Sequence, residues 1–274
     1  MSYRMVAIDA DGTFVNGGDR VTPRVRAAVA AAKAKGVHVV LATGRSYDGA
    51  KLLCDDLGHD LGLILVNGAV LAEGLDEPPF AHHMLSTEAG RYAVEHLLEA
   101  GYAPFVYEDP LLGDRIAMGP GETLMPRFIA ERPEAHHRCD LLAWVDHPTL
   151  VVVAAGDEQG LKSVAVDLRA RLDGQAAVVP AYYQSGDLWV LTVVNARCNK
   201  AAALVEWAHR HGYGLDQVMA IGDGDNDVEM VAEAGLGVAM GNACAAVLDA
   251  ADVVVADNDH DGVAEAIERF ILAD

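Results

Sequence analysis

The segment Met5-Val-Ala-Ile-Asp-Ala-Asp-Gly-Thr13 indicates the fold and the chemistry of this chain more directly than any other stretch. Its first half is a short apolar run that predicts a buried β-strand, and two aspartates follow that strand directly. Two such carboxylates can divide their tasks, because one attacks or binds a metal ion while the other moves protons. Gly12 permits the tight turn that keeps Asp9 and Asp11 near one point. An ordinary Asx-type turn remains the alternative for this segment alone.

Similar apolar runs recur towards both ends of the sequence and alternate with helical patterns. Val37–Ala42 and Leu63–Val66 predict buried strands in the first third, and Val218–Ile221 and Gly237–Met240 predict them in the last third. Short strands that are apolar on both faces and separated by helices indicate a parallel sheet covered on both sides. We therefore predict an α/β fold with a doubly wound, Rossmann-like core.

The middle of the chain follows a different pattern. A predicted helix and strand, Thr87–Glu99 and Pro104–Tyr107, precede a Gly/Pro-rich stretch, after which further strands and a helix follow. This change predicts a second α/β domain at residues 83–194, inserted into a core formed by residues 1–82 and 195–274.

Composition excludes several classes of partner. The 274 residues include 41 acidic and 20 basic side chains, for a formal net charge of −21. A polyanion is disfavoured as a partner of nucleic acid or of an anionic membrane. The four cysteines contain no CxxC pair, which predicts neither a zinc site nor a disulfide framework, and no apolar run reaches the roughly 18 residues of a membrane span. We predict a cytoplasmic protein, a monomer or weak homodimer, without a nucleic-acid or membrane partner.

Two smaller clusters suit a phosphate group. Thr43 and Gly44 follow the strand Val37–Ala42, where backbone amides at a helix start suit phosphate oxygens, although a helix N-cap is the plainer interpretation. Lys200 stands at the start of a predicted helix after the insert, and a lone lysine is usually solvated. A pocket with several carboxylates and a phosphate nevertheless needs a cation. Arg45 is interpreted as a structural residue or a rim contact.

The most acidic cluster is Gly222-Asp-Gly-Asp-Asn-Asp227, directly after Val218–Ile221. Its carboxylates would repel one another at a buried strand end unless a hard cation such as Mg²⁺ lay between them. A calcium loop of the EF-hand type starting at Asp223 requires Gly and Glu where the sequence has Val228 and Ala234. The calcium-loop alternative therefore fails on spacing.

In this order, the four clusters resemble the four motifs of the haloacid dehalogenase superfamily of phosphatases. Asn67-Gly-Ala69 and Gly241-Asn-Ala243 resemble signatures of its Cof-like, sugar-phosphatase subfamily, which carries a large α/β cap between motifs two and three. The resemblance spans the whole chain. It implies that residues 1–82 and 195–274 form the catalytic core and that residues 83–194 form a mobile cap that selects the substrate.

The resemblance also implies a role for each matching residue. Asp9 would attack phosphorus and form an aspartyl-phosphate, and Asp11 would protonate the leaving oxygen and then activate water. The residues implied to bind the phosphoryl group or substrate are Thr43, Gly44, Lys200 and Asn226, the last of which could instead orient Lys200. The implied ligands of Mg²⁺ are Asp9, the backbone carbonyl of Asp11, Asp223 and Asp227, the last of which could instead anchor the other ligands.

The implied function is Mg²⁺-dependent hydrolysis of a small phosphorylated metabolite such as a sugar phosphate. Two alternatives stay open. The same residues could transfer the phosphoryl group to a second hydroxyl, as a phosphotransferase or mutase does, or the protein could be a low-turnover, metal-binding phospho-acceptor or ligand sensor. Asp11 argues against a sensor, because rapid release of a phosphoryl group from Asp9 requires the second carboxylate.

Overall fold

The chain divides into two compact units. The first consists of Met1–Ala81 together with Asn199–Asp274, and the second is His82–Cys198. The computed structural model describes residues 3–18, 20–108, 115–119, 136–183 and 188–273. The predicted domain boundaries, 82/83 and 194/195, differ from the observed divisions by one and four residues. Their roles as catalytic core and cap stay predictions. Within the described ranges, no helix is both long enough and apolar enough to cross a membrane.

The described residues form fourteen strands and nine α-helices. In chain order the strands are β1 (Met5–Ile8), β2 (His38–Ala42), β3 (Gly62–Leu65), β4 (Val70–Ala72), β5 (Ala81–His82), β6 (Phe105–Tyr107), β7 (Ile116–Met118), β8 (His136–Arg138), β9 (Val151–Gly156), β10 (Ala176–Tyr183), β11 (Leu188–Asn195), β12 (Val218–Gly222), β13 (Leu236–Ala239) and β14 (Val253–Val254). The helices are α1 (Pro23–Ala34), α2 (Tyr47–Leu57), α3 (Thr87–Glu99), α4 (Leu141–Trp144), α5 (Glu158–Arg171), α6 (Lys200–Arg210), α7 (Val228–Glu233), α8 (Ala245–Ala250) and α9 (Gly262–Ile267).

An eight-stranded sheet contains the strands that carry the sequence clusters, in the order β14-β13-β12-β1-β2-β3-β4-β5. The strands from β14 to β3 are parallel to their neighbours, and β4 pairs with β3 in the antiparallel direction. Every residue of β1, β3 and β12 is buried, as expected for parallel strands covered on both faces. The predicted α/β core is confirmed, and the antiparallel edge is an addition that the apolar runs did not predict.

The register of the central strands brings the clusters to one edge of the sheet. Ile8 of β1 lies opposite Leu41 of β2 and Ile221 of β12. The residues that follow these positions therefore leave the sheet side by side at the carboxyl ends of three parallel strands. This is the edge at which open α/β sheets bind ligands.

Local capping sets where the core helices begin. The hydroxyl of Thr22 accepts a hydrogen bond from the Val25 N–H, and Pro23 occupies the first turn of α1. The side chain of Asn199 accepts from the Ala202 N–H at 2.6 Å, so α6 begins at Lys200. Trp207 buries the same helix against the sheet, and its indole N–H donates to the carbonyl of Ala72.

The second unit contains a six-stranded sheet in the order β10-β11-β9-β6-β7-β8. Apart from the parallel pair β7 and β8, its neighbouring strands are antiparallel. Apolar residues of α3 and α5, including Leu97 and Leu168, belong to its buried core. The Gly/Pro-rich stretch that the sequence marks at residues 113–126 lies largely outside the described residues.

Candidate active site

Asp9 lies at the carboxyl end of β1 and is 6% exposed. Its N–H donates to the carbonyl of Ile221 at 3.0 Å, which continues the pairing of β1 and β12 by one residue. The chain then turns at Gly12, where φ is +81°. A Cβ atom there would lie 2.3 Å from Oδ2 of Asp223, so the turn leaves space for glycine alone.

Lys200 contacts two of the predicted site residues. Its side chain is fully buried, and its Nζ donates to Oδ1 of Asp9 at 2.5 Å and to Oδ1 of Asp227 at 2.6 Å. A buried ammonium requires such partners, because an unpaired charge away from water is very costly. The capped start of α6 thus places the Lys200 cation between two carboxylates. Asp9 is 191 positions from Lys200 in the sequence, and Asp227 is 27 positions from it.

Asp227 is fully buried and uses both of its oxygens. Oδ1 accepts from Lys200, while Oδ2 accepts from the N–H groups of Asp223 at 3.1 Å and of Gly224 at 3.0 Å. Asp227 therefore fixes the loop after β12 to the lysine. The residue pattern of Asp225–Glu233 predicts a single helix. The structure instead has a 3₁₀ turn at Asp225–Asp227 before α7, and this turn points Asp227 back into the site.

Asp223 completes an acidic cluster. Its Oδ1 accepts from the Thr13 hydroxyl at 2.7 Å, and its Oδ2 lies 3.3 Å from the amide nitrogen of Asn242. One carboxylate oxygen from each of Asp9, Asp223 and Asp227 lies within 4.8 Å of the other two. Three carboxylates beside one ammonium leave an excess of negative charge, and oxygen donors of this kind suit a hard divalent cation such as Mg²⁺.

The charges in this cluster perturb one another. Burial raises the pKa of Asp9 well above its ordinary value, and the charge of Asp227 adds to the rise while Lys200 opposes it. Burial likewise raises the pKa of Asp223 to about 6. For Lys200, burial alone would lower the pKa, but the charges of Asp227 and Asp9 outweigh it and raise the pKa above its ordinary value. The two carboxylates therefore favour the charged form of Lys200.

Asp11 has a different environment from Asp9. Its side chain is 59% exposed and pairs with the guanidinium of Arg45, with Nε at 3.0 Å from Oδ2 and Nη2 at 2.5 Å from Oδ1. The cluster of neighbouring carboxylates contains Asp9, Asp223 and Asp227 but not the carboxylate of Asp11. Arg45, interpreted from the sequence as structural or a rim contact, is thus a direct partner of the predicted general acid.

The remaining predicted phosphate-binding residues lie on neighbouring loops. Thr43 is fully buried after β2, and its hydroxyl accepts from the Arg45 N–H at 3.0 Å. Gly44 next to it is exposed. Asn226 is also exposed, and its side-chain amide donates to Oδ1 of Asn67 at 3.0 Å.

Several residues without a predicted role contact this site. Thr13 and Asn242 both contact Asp223, and Asn242 also donates to the carbonyl of Gly12 at 2.8 Å. Asn67 contacts Asn226. Asn67 and Asn242 stand in the two subfamily signatures, which was a signal of importance but not of what these side chains contact.

A family model described as haloacid dehalogenase-like hydrolase matches residues 6–267. The chain belongs to this family. This haloacid dehalogenase-like hydrolase is 28% identical to the 5-amino-6-(5-phospho-D-ribitylamino)uracil phosphatase YcsE of Bacillus subtilis, over 99% of the chain and 97% of the relative. It is 30% identical to a phosphoglycolate phosphatase of Natronomonas pharaonis, over 96% of each protein. The crystal structure of a haloacid dehalogenase-like hydrolase from Bacteroides thetaiotaomicron matches it with a TM-score of 0.83 at 28% identity, over 98% of the chain and 99% of that structure.

These matches confirm the predicted family, the α/β fold and the assignment of the chain as a phosphatase of the haloacid dehalogenase type. The alignments run over nearly the full length of both partners, so they include the second unit as well as the sheet that carries the site. The roles of individual residues stay predictions.

Proposed function

We propose that this haloacid dehalogenase-like hydrolase is a Mg²⁺-dependent phosphomonoesterase that acts through an aspartyl-phosphate on Asp9. The observation that carries the proposal is the contrast between two carboxylates of one loop. Asp9 is buried beside Lys200, whereas Asp11 is largely exposed beside Arg45. One carboxylate is thereby suited to attack in a fixed position and the other to exchange protons.

The acidic cluster fits the metal that the family implies. Asp9 and Asp223 would bind Mg²⁺ together with the backbone carbonyl of Asp11, and Asp227 would either bind it or anchor the other groups. Bound Mg²⁺ supplies positive charge that neutralises phosphate oxygens next to the carboxylates. The two contacts of Asp227 with backbone N–H groups support its role as an anchor.

In the first step, an oxygen of Asp9 forms a bond to phosphorus while the bond from phosphorus to the leaving oxygen breaks. Asp11 donates its proton to that oxygen, which leaves as an alcohol. In the second step, Asp11 accepts a proton from water as the water oxygen attacks phosphorus, and the bond to Asp9 breaks. The products are inorganic phosphate and regenerated Asp9, so one carboxyl group serves as acid and then as base.

Lys200 and the loop after β2 would bind the transferring group. The Nζ of Lys200 already lies 2.5 Å from the attacking side chain, so it orients Asp9 and lies close to any phosphoryl group bonded to it. Thr43, Gly44 and Asn226 would donate hydrogen bonds to phosphoryl oxygens. Phosphoryl transfer depends mainly on such alignment and charge neutralisation.

The proposed substrate is a small phosphorylated metabolite, with a sugar phosphate as the first class to test. The two named relatives are phosphatases of phosphoglycolate and of a phosphoribitylamino-uracil, each of them a small polar phosphate ester. The excess of 41 acidic over 20 basic side chains disfavours polyanionic substrates such as nucleic acids. A cytoplasmic location belongs to the same proposal.

The direct test is hydrolysis of p-nitrophenyl phosphate and of a panel of sugar phosphates, with Mg²⁺ and with EDTA. We expect metal-dependent activity that falls by about 10⁴-fold or more in Asp9→Asn, because the nucleophile is lost. Asp173→Asn is the matched control, since it makes the same change at an exposed position of the second unit. Activity that survives Asp9→Asn would overturn the covalent mechanism. Appearance of the phosphoryl group on an added sugar instead of in inorganic phosphate would identify a phosphotransferase.

A further inference from the structure

The turn Val66–Gly68, directly after β3, has an unusual backbone. Its three residues Val66, Asn67 and Gly68 have φ of 50°, 55° and 101°. Few non-glycine residues adopt positive φ, and for a β-branched residue such as Val66 it is an outlier. Strain of this kind persists only where the surrounding contacts impose it.

Backbone hydrogen bonds tie this turn to the loop after β2. The Val66 N–H donates to the carbonyl of Arg45, and the Asn67 N–H donates to the carbonyl of Thr43, both at 3.0 Å. Because the two contacts lie on either side of Gly44, the turn determines the path of the loop that carries Thr43. A change in the turn would therefore displace a proposed phosphate-binding loop.

Gly68 packs against the start of α6. A Cβ atom at Gly68 would lie 2.8 Å from the carbonyl oxygen of Asn199 and 2.9 Å from Cβ of Ala203. Asn199 caps the helix whose first residue is Lys200. The turn thus also determines how closely the start of α6, the helix that carries Lys200, can approach it.

The side chain of Asn67 makes the third connection. Its Oδ1 accepts from the amide of Asn226 at 3.0 Å, and a Cβ atom at Gly44 would lie 3.3 Å from the same oxygen. One side chain therefore contacts the loop after β12 and lies close beside Gly44 in the loop after β2.

We propose that the turn Val66–Gly68 positions the phosphate-binding groups, and that the amide of Asn67 fixes Asn226 relative to Thr43 and Lys200. This inference rests on the proposed function. Asn67 is a positioning residue, because it acts through the backbone of the Thr43 loop and the side chain of Asn226. Asn67 contacts Asn226 and the Thr43 loop and none of the three clustered carboxylates, so its loss should weaken phosphate binding more than metal binding.

The informative variant is Asn67→Gly, because glycine tolerates positive φ and only the side-chain amide is removed. We expect kcat/KM to fall about 10- to 100-fold, and the inhibition constant of inorganic phosphate to rise about 10-fold, as follows from a small misplacement of binding groups. The Mg²⁺ concentration for half-maximal activity and the Tm should stay close to the wild-type values. If the role of Asn67 were merely structural, its loss would lower Tm, and the inhibition constant of phosphate would not change separately from the Mg²⁺ concentration for half-maximal activity.

Asp261→Gly is the matched control. Asp261 is the third non-glycine residue with positive φ among the described residues, and its carboxylate accepts a hydrogen bond from Thr22. We expect this variant to lose thermal stability and to keep phosphate inhibition within about 2-fold of the wild type, the range of an uncoupled site.

A double-mutant cycle with Asn226→Ala completes the test. If Asn67 acts through Asn226, the double variant should bind phosphate within about 2-fold of the weaker single variant, because both changes remove one contact. Independent, multiplying effects would overturn the inference, as would unchanged phosphate inhibition in Asn67→Gly. An active Asp9→Asn would instead overturn the proposed function, and the two failures are therefore distinguishable.

Discussion

Asp9 and Asp11 are the same amino acid, two residues apart on one loop, and yet their surroundings differ in almost every respect. The Asp9 side chain is 8% exposed and contacts a lysine whose side chain is completely buried. The Asp11 side chain is 59% exposed and contacts an arginine that is itself partly exposed. Asp9 still pairs with β12 through its backbone, whereas Asp11 lies two residues beyond it, directly before the turn at Gly12. Two identical carboxyl groups on one short loop thus have different burial and different cationic partners.

The two cations differ as much as the two carboxylates. Lys200 lies between Asp9 and Asp227, where water does not screen the charges, and removal of a partner leaves buried charge uncompensated. Arg45 pairs with Asp11 close to solvent, where an ion pair contributes little to stability. The buried pair should therefore support both the fold and the chemistry, and the exposed pair mainly the chemistry.

The largest expected effect comes from removing each cation in turn. In metal-free protein at neutral pH, Lys200→Met should lower the free energy of unfolding by about 3–5 kcal/mol, because Asp9 and Asp227 lose their shared partner. Arg45→Met should lower it by less than about 1 kcal/mol. Urea denaturation followed by circular dichroism measures both. Equal losses in the two variants would show that the two pairs do not differ as proposed.

A second prediction separates the two carboxylates by their chemistry. Asp11→Asn should lower kcat on an alkyl phosphate by roughly 10²–10⁴-fold, because the leaving alkoxide loses its proton donor. The first step with p-nitrophenyl phosphate should suffer far less, since p-nitrophenolate leaves without protonation. The burst of p-nitrophenol in rapid-mixing experiments reports that step, and Asp9→Asn should abolish it. An equal loss of the first step on both substrates would argue against Asp11 as the general acid.

The smallest expected effect is a pH dependence of stability in EDTA. A carboxyl group whose pKa is higher in the folded than in the unfolded protein stabilises the folded state in its protonated form. Burial raises the pKa of Asp223 from 3.8 to about 6, so its contribution is fully present below pH 3.8 and is lost as pH rises to about 6. As pH rises through this range, the Tm of Asp223→Asn should therefore increase relative to the Tm of the wild type.

Addition of Mg²⁺ provides the control for that measurement. Metal ions bind deprotonated carboxylates, so Mg²⁺ should raise the Tm of the wild type more at pH 7 than at pH 4. A difference in Tm between variant and wild type that stays constant with pH would contradict the proposed effect of burial on Asp223.

Much of the core was predictable because its signals are local. The four residues Met5–Ile8 are all buried, and a buried parallel strand requires an apolar run of this kind. The clusters at strand ends followed from the same runs, since parallel strands end at one edge. The family resemblance then implied roles for Asp9, Asp223 and Lys200, and the structure places these residues together.

Contacts between loops were less predictable, because they depend on side-chain directions that no local pattern encodes. Arg45 could have pointed to solvent, and only the path of the chain after Thr43 directs it to Asp11. The positive φ at Val66 contradicts local preference and persists beside contacts with the loop after β2, whereas Asn67 is a residue type that tolerates positive φ. The 3₁₀ turn at Asp225–Asp227 likewise reflects the tertiary contact with Lys200.

The pairing of β1 also has a consequence for how the protein is made. Met5 of β1 pairs with His38 on one side and with Val218 on the other, 213 residues later in the chain. At a synthesis rate of roughly 5–20 residues per second, the nascent chain carries β1 for about 10–40 s before its second partner strand exists. During that interval the central strand of the sheet has a free edge, and the loop that ends in Thr13 lacks Asp223 throughout and Lys200 until near the end. Chaperones that cover exposed strand edges would therefore act on the N-terminal segment before the buried cluster of Asp9, Lys200, Asp223 and Asp227 can assemble.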